Sequence, residues 1–138
     1  MQTQLRSEEG AVRDLHLLRM RTSIRVRLAF GRRNGPLPVS PKNLIGCTYE
    51  ELYAHLGALG DDNDIDHIVP IHFYDMSNPI DWYRAFNYRN TRLLRHGAHK
   101  KRAKCGLPDK DTLWDLRDIW PAAWGDAIAA LCKLTQSP

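Results

Sequence analysis

Residues 61–71 read Asp61-Asp62-Asn63-Asp64-Ile65-Asp66-His67-Ile68-Val69-Pro70-Ile71, and this stretch decides the fold. Its second part, residues 65–71, is rich in β-branched side chains, which predicts a short β-strand. Four aspartates and one histidine lie before this strand or in its first residues. Carboxylates beside an imidazole indicate a candidate site for metal binding or acid–base catalysis.

A second strand and a basic helix are predicted downstream. Asn90 begins a loop that enters a strand over residues 91–94. Gly97-Ala98 then opens a helix that continues through Lys104 and ends by Gly106. His67, Asn90 and His99 therefore form an ordered set, with eight residues between the last two.

This ordered set resembles the HNH endonuclease family, and the resemblance covers residues 44–104. It includes the flanks Asp66-His67-Ile68-Val69-Pro70 and Asn90-Thr91-Arg92-Leu93-Leu94 and the basic helix behind them. The resemblance implies an α+β fold, with a ββα-metal (HNH) core flanked by N-terminal and C-terminal helices. It also implies that His67 is the general base and that Asp66 and His99 are metal ligands. Asn90 would fasten the loop by side-chain hydrogen bonds to the backbone and so hold the His67 imidazole in position.

The expected cofactor is one divalent metal ion. Two protein ligands of mixed oxygen and nitrogen type leave room for water and phosphate, which suits Mg²⁺ or Mn²⁺, while Zn²⁺ or Ni²⁺ can bind more tightly. Ala103 stands where colicin nucleases of the family carry a further metal-binding histidine, so a weaker site is expected. No CxxC pair is present, so we expect no structural zinc.

Each candidate residue also has a structural interpretation. His67 can be a strand-end histidine that bonds a carbonyl, and Asp66 and Asn90 can be turn residues. His99 can be a surface residue at a helix N-terminus. We leave His72 out of the site, since it is five positions from His67 and faces away from it on a straight strand. His55 and His96 are expected to be structural or surface residues.

Charge is segregated along the chain. Residues 1–36 carry +5, residues 37–86 carry −6, residues 87–104 carry +7 and residues 105–138 carry −2. Two basic blocks around an acidic middle indicate a polyanionic partner, with a solvated surface as the alternative. We expect phosphate contacts from these residues of the second basic block: Arg92, Arg95, Lys100, Lys101, Arg102 and Lys104. The arginines of residues 1–36 either extend this surface or face solvent.

The flanking segments are predicted to be helical. Over residues 11–30, Leu17, Met20, Ile24 and Leu28 recur at helical spacing and are expected to pack in the core, while Arg21 and Arg25 share another face. The segment Thr48-Tyr49-Glu50-Glu51 predicts a capping box for a helix that reaches Gly60. Asn78 and Pro79 predict another helix start. The tail predicts two helical stretches separated at Pro121, with Leu113, Leu116 and Trp120 in the first and Trp124, Ile128 and Leu131 in the second.

We divide the chain of 138 residues into a basic helix with a proline-rich connector (1–43), the nuclease core (44–106) and a helical tail (107–138), all within one domain. No apolar run is long enough for a membrane span, and the N-terminus lacks signal-peptide features, so an intracellular protein with no membrane partner is expected. The three distant cysteines predict reduced thiols.

The function predicted is metal-dependent hydrolysis of DNA, by nicking or by double-strand cleavage. A homodimer or a targeting protein is a further expected partner, because no separate recognition module is apparent. Two alternatives stay open. One is a non-catalytic nucleic-acid-binding protein that retains the fold, and the other is a nuclease acting on structured RNA.

Overall fold

The computed structural model describes residues 2–95 and 106–125 of the chain. Within these ranges it contains five α-helices and a two-stranded antiparallel sheet, which confirms the α+β class. The helices are α1 (Gln2–Ala29), α2 (Pro41–Leu44), α3 (Tyr49–Leu56), α4 (Pro79–Phe86) and α5 (Lys110–Asp115), and the strands are β1 (Asn63–His67) and β2 (Thr91–Arg95). The basic helix predicted after β2 lies outside the described residues.

Helix α1 is longer than predicted and buries a different face. It begins at Gln2 rather than near residue 11. Asp14, Leu18, Thr22 and Val26 are at most 5% exposed, whereas Met20, Ile24 and Leu28 are 47%, 52% and 72% exposed. The prediction that these three pack in the core was therefore wrong. Two polar residues lie on the buried face, and Asp14 is accommodated there because its Oδ2 accepts a hydrogen bond from the Leu59 backbone N–H at 3.1 Å.

Helices α3 and α4 begin where their capping residues predict. The Thr48 hydroxyl accepts a hydrogen bond from the Glu51 N–H at 3.0 Å, and Glu51 Oε1 accepts one from the Thr48 N–H at 3.2 Å. Asn78 Oδ1 accepts a hydrogen bond from the Ile80 N–H at 3.1 Å, with Pro79 as the first helical residue. Helix α3 ends at Leu56, not near Gly60. Gly57 has a φ of 85°, which favours glycine and stops the helix one turn early.

The first strand is shorter and begins earlier than predicted. Strand β1 ends at His67, and the chain enters a 3₁₀ turn at Ile71–Phe73. Pro70 has no N–H to give to a strand partner, so the predicted strand over residues 65–71 cannot continue through it. The register pairs Ile65 with Leu93, Asp66 with Arg92, and His67 with Thr91.

Two clusters of buried side chains form the interior. The larger joins α1, α2, α4 and the tail, and its buried members are Val26, Leu44, Val69, Tyr74, Ala85, Phe86, Leu113, Leu116, Ile119 and Trp120. The smaller lies among α1, α3 and the sheet, and its buried members are Leu18, Ile45, Leu52 and Leu59, with Ile65 and Leu93 packed against them. Helix α1 contributes to both, so it holds the sheet next to the larger core.

The tail is only partly described. Asp109 Oδ1 accepts a hydrogen bond from the Thr112 N–H at 2.8 Å and starts α5, which is followed by 3₁₀ turns at Arg117–Ile119 and Ala122–Trp124. The first helical stretch is thus shorter than predicted. The second was expected to include Ile128 and Leu131, which lie outside the described residues. Among the described residues, no helix combines the length and apolar character needed to cross a membrane.

Candidate functional site

Strand β1 presents Asp66 and His67 to opposite faces of the sheet. Successive residues of a strand alternate in direction, and Ile65 packs on the smaller core. His67 therefore shares the face that is turned toward α1. Asp66 lies on the other face, where its Oδ2 is 3.5 Å from Nε of Arg92, its partner across the sheet.

The His67 imidazole is held between an aromatic ring and a guanidinium group. Its ring centroid is 5.1 Å from that of Phe86, edge to face. Nη2 of Arg25 lies 3.1 Å from both ring nitrogens, Nδ1 and Nε2. Burial, and secondly the positive charge of Arg25, hold the pKa of His67 well below its usual value of 6.5. The ring is therefore neutral at pH 7.

Arg25 is the principal site residue that sequence reasoning missed. It lies 42 residues from His67 in the chain. Burial lowers its pKa to about 10, while the Asp66 carboxylate opposes that shift, so Arg25 stays a cation at neutral pH. One turn earlier, Nη1 of Arg21 donates to the Asn63 carbonyl at 3.3 Å. The sequence places Arg21 and Arg25 on one face of a helix and predicts a strand that includes His67, but it does not show that the two are in contact.

Asn90 is fully buried and fastens the chain directly after His67. Its Oδ1 accepts a hydrogen bond from the Val69 N–H at 2.8 Å, and its Nδ2 donates to the carbonyls of Val69 at 3.2 Å and Ala85 at 3.0 Å. The Asn90 carbonyl also accepts a hydrogen bond from the Ile68 N–H at 2.8 Å. The structure thus contains the side-chain-to-backbone bonding predicted for Asn90, while its catalytic contribution stays a prediction.

Of the remaining histidines and basic residues considered in the sequence, some are described by the structure and others are not. His99, Lys100, Lys101, Arg102 and Lys104 lie outside the described residues. Arg95 is exposed at the end of β2. His55, to which no role was given, has Nε2 2.9 Å from the Thr91 carbonyl and packs against Tyr88, so it supports β2. His72 is exposed beside Phe73.

Asp66 and Arg92 form an ion pair on the other face of the sheet from His67. Arg92 Nε is buried, and its contact with Asp66 Oδ2 at 3.5 Å lacks hydrogen-bond geometry. The Asp66 side chain is 17% exposed.

Comparison with protein-family models, curated proteins and solved structures finds no match. A carboxylate and a neutral imidazole are donors that a divalent ion accepts. Among the described residues, however, no group of three or more His, Cys, Asp or Glu side chains is assembled. Asp66 is the described member of the predicted ligand pair.

Proposed function

We propose that this protein is a divalent-metal-dependent endonuclease of HNH type that hydrolyses DNA phosphodiester bonds. The observation that carries the proposal is a neutral imidazole, His67, contacted by the guanidinium of Arg25 on one face of β1, while the other face of the same strand carries Asp66 paired with Arg92. A neutral imidazole at pH 7 accepts a proton, and guanidinium groups bind phosphate.

His67 acts as the general base in this mechanism. A ring nitrogen takes a proton from water, the water oxygen forms a bond to phosphorus, and the bond to the 3′ oxygen breaks. The 3′ oxygen leaves with the bonding electron pair and takes a proton from solvent water, and His67 returns its proton to solvent. The products carry a 5′-phosphate and a 3′-hydroxyl, as the family resemblance implies. A positioned general base typically contributes a factor of about 10²–10⁴ in rate.

Asn90 serves this step by fixing the backbone that carries His67. The hydrogen bonds of Asn90 to Ile68 and Val69 begin at the residue that follows His67. Because these buried hydrogen bonds fix the backbone next to His67, they help to hold its imidazole in the productive orientation. Asn90 is therefore a positioning residue rather than a participant in proton transfer.

Asp66 and His99 would hold the metal ion. When bound, such an ion neutralises charge on the phosphate and on the departing oxygen. The carboxylate of Asp66 supports this role, because it is an oxygen donor that divalent ions accept and its side chain is 17% exposed. Arg92 and Arg95, with the basic block of residues 100–104, would bind the DNA backbone.

The proposal is tested by nicking of supercoiled plasmid in the presence of Mg²⁺, Mn²⁺ or EDTA. We expect cleavage with either metal ion, none with EDTA, and a loss of at least about 100-fold for His67→Ala. His72→Ala is the matched control, since it removes an exposed imidazole five residues away and should cleave like the wild type. Equal cleavage by His67→Ala and the wild type would refute His67 as the base.

A second function is favoured by one specific observation. Nη2 of Arg25 lies 3.1 Å from both ring nitrogens of His67, and a ring covered in this way does not take a proton from water, which favours a non-catalytic protein that binds nucleic acid. The same preparation distinguishes the two functions. Tight binding of a DNA duplex with no cleavage under any metal condition would favour the non-catalytic protein.

A further inference from the structure

The surface of α1 next to His67 is strongly basic over a long stretch of chain. Residues 15–49 contain six arginines and one lysine and no acidic residue. Arg21 and Arg25 are four residues apart in α1, which places them on one side of the helix axis. This side is the one turned toward β1.

An open pocket of about 290 Å³ lies where this basic side meets the sheet. It is lined by Arg21, Ile24, Arg25, Asp64 and Ile65. The pocket thus contains two guanidinium groups and one carboxylate, and Arg25 links it directly to the His67 ring.

The positive charge of Arg25 is poorly compensated by nearby anions, although the side chain is partly buried. Among the described residues it forms no ion pair, because the carboxylate that acts on it, Asp66, lies against Arg92. Its Nη2 lies 3.1 Å from both ring nitrogens of His67, and in a neutral imidazole only the nitrogen without a proton accepts a hydrogen bond. A partly buried guanidinium is stabilised far better by an anion than by a neutral ring.

We propose that Arg25, assisted by Arg21, is a binding site for a backbone phosphate of DNA, and that Arg25 covers His67 until that phosphate draws it away. The proposal rests on the proposed function for the identity of the anion. Arg25 then has two positions, on the ring in the free protein and on the phosphate in the complex. Binding of DNA therefore uncovers the ring nitrogen that must accept a proton.

The first test is the salt dependence of duplex binding, measured by fluorescence anisotropy with EDTA so that no cleavage occurs. Arg25→Ala should reduce the slope of log K against log salt by about 0.9, the value for one lost phosphate contact. Arg27→Ala is the matched control, because it removes the same charge two residues away on another side of α1, where Nη1 of Arg27 donates to the Gly35 carbonyl. Equal losses in the two variants would overturn the proposal.

The second test follows the His67 ring by NMR in the wild type, with its signals identified by comparison with His67→Ala. Adding a short DNA duplex should move these signals toward those of free Arg25→Ala, in which the ring is uncovered. Inorganic phosphate at high concentration should produce part of the same shift. If Arg25→Ala does not fold, the change of the wild-type His67 ring signals on adding the duplex still tests the proposal. Ring signals that stay unchanged at saturating duplex would overturn the proposal.

Failure of this inference and failure of the proposed function give different results. A protein that binds DNA through Arg25 and never cleaves it would refute the endonuclease and leave the phosphate site standing. A protein that cleaves plasmid with an Arg25→Ala variant of unchanged kcat and KM would refute the phosphate site alone.

Discussion

Replacing Asn90 by alanine should destabilise the fold more than any exposed substitution. The change removes three side-chain hydrogen bonds and leaves the Val69 N–H and the carbonyls of Val69 and Ala85 without this partner. At about 1 kcal/mol net for each bond, the free energy of unfolding should fall by about 3 kcal/mol. For a chain of this size, that corresponds to a decrease in Tm of roughly 10 °C.

Asn90→Asp gives a sharper form of the same test. The new carboxylate could still accept from the Val69 N–H, but its second oxygen would face two carbonyl oxygens in place of the Asn90 amide. At neutral pH we therefore expect a loss at least as large as that of Asn90→Ala. These surroundings raise the pKa of the new carboxyl group, so the deficit is fully present above that raised pKa and shrinks as pH falls through it, since the proton restores a donor.

Urea denaturation followed by the fluorescence of the four tryptophans measures these losses. The exposed Asn43 supplies the control, because Asn43→Ala should change stability by no more than about 0.5 kcal/mol. If Asn90→Ala and Asn43→Ala unfolded at the same urea concentration, the buried hydrogen bonds assigned to Asn90 would not exist.

Two further predictions concern carboxylates. The fully buried Asp81 accepts hydrogen bonds from the Asp75 N–H at 2.7 Å and the Ala122 N–H at 2.8 Å. Asp81→Asn should therefore lower the free energy of unfolding, measured by urea denaturation, by about 3 kcal/mol. A loss below about 1 kcal/mol would contradict these bonds. The side-chain hydrogen bond from Arg89 lowers the pKa of Asp118, so its contribution to stability is present above the unfolded pKa of about 3.9 and is lost as pH falls through the lower folded value. Both side chains are exposed, so this contribution is at most about 1 kcal/mol; Asp118→Asn should remove it near pH 5, and the stabilities of variant and wild type should converge below about pH 3. Parallel stability curves for these two proteins from pH 5 to pH 2 would show that the pair is not formed.

Local chemistry made part of the fold predictable. The capping pair of Thr48 and Glu51 and the start of α4 at Asn78 depend on residues at most three positions apart. The partner that decides such structure lies within the motif itself. The motif around His67 and Asn90 likewise predicted the hydrogen bonding of Asn90 from local sequence and family resemblance together.

Long-range packing accounts for what could not be predicted. Two sets of residues on α1 have helical spacing. Hydrophobicity favours the apolar set that includes Met20 and Ile24 as the buried face of the helix. The buried face instead carries Asp14, whose partner is the Leu59 backbone 45 residues away. The contact of Arg25 with His67 has the same origin, because periodicity places Arg25 on a face without saying which element covers that face.

The small sheet has a consequence for solubility. In the described part of the chain, β1 and β2 pair only with each other, so each has an outer edge that can pair with another molecule. Asp64 and Asp66 make β1 acidic, and Arg92 and Arg95 make β2 basic. Two copies that met through β1, or through β2, would bring like charges together. Neutralising Asp66 to probe metal binding therefore also weakens the charge repulsion between the β1 edges of two copies. The oligomeric state of such variants should be measured together with their activity.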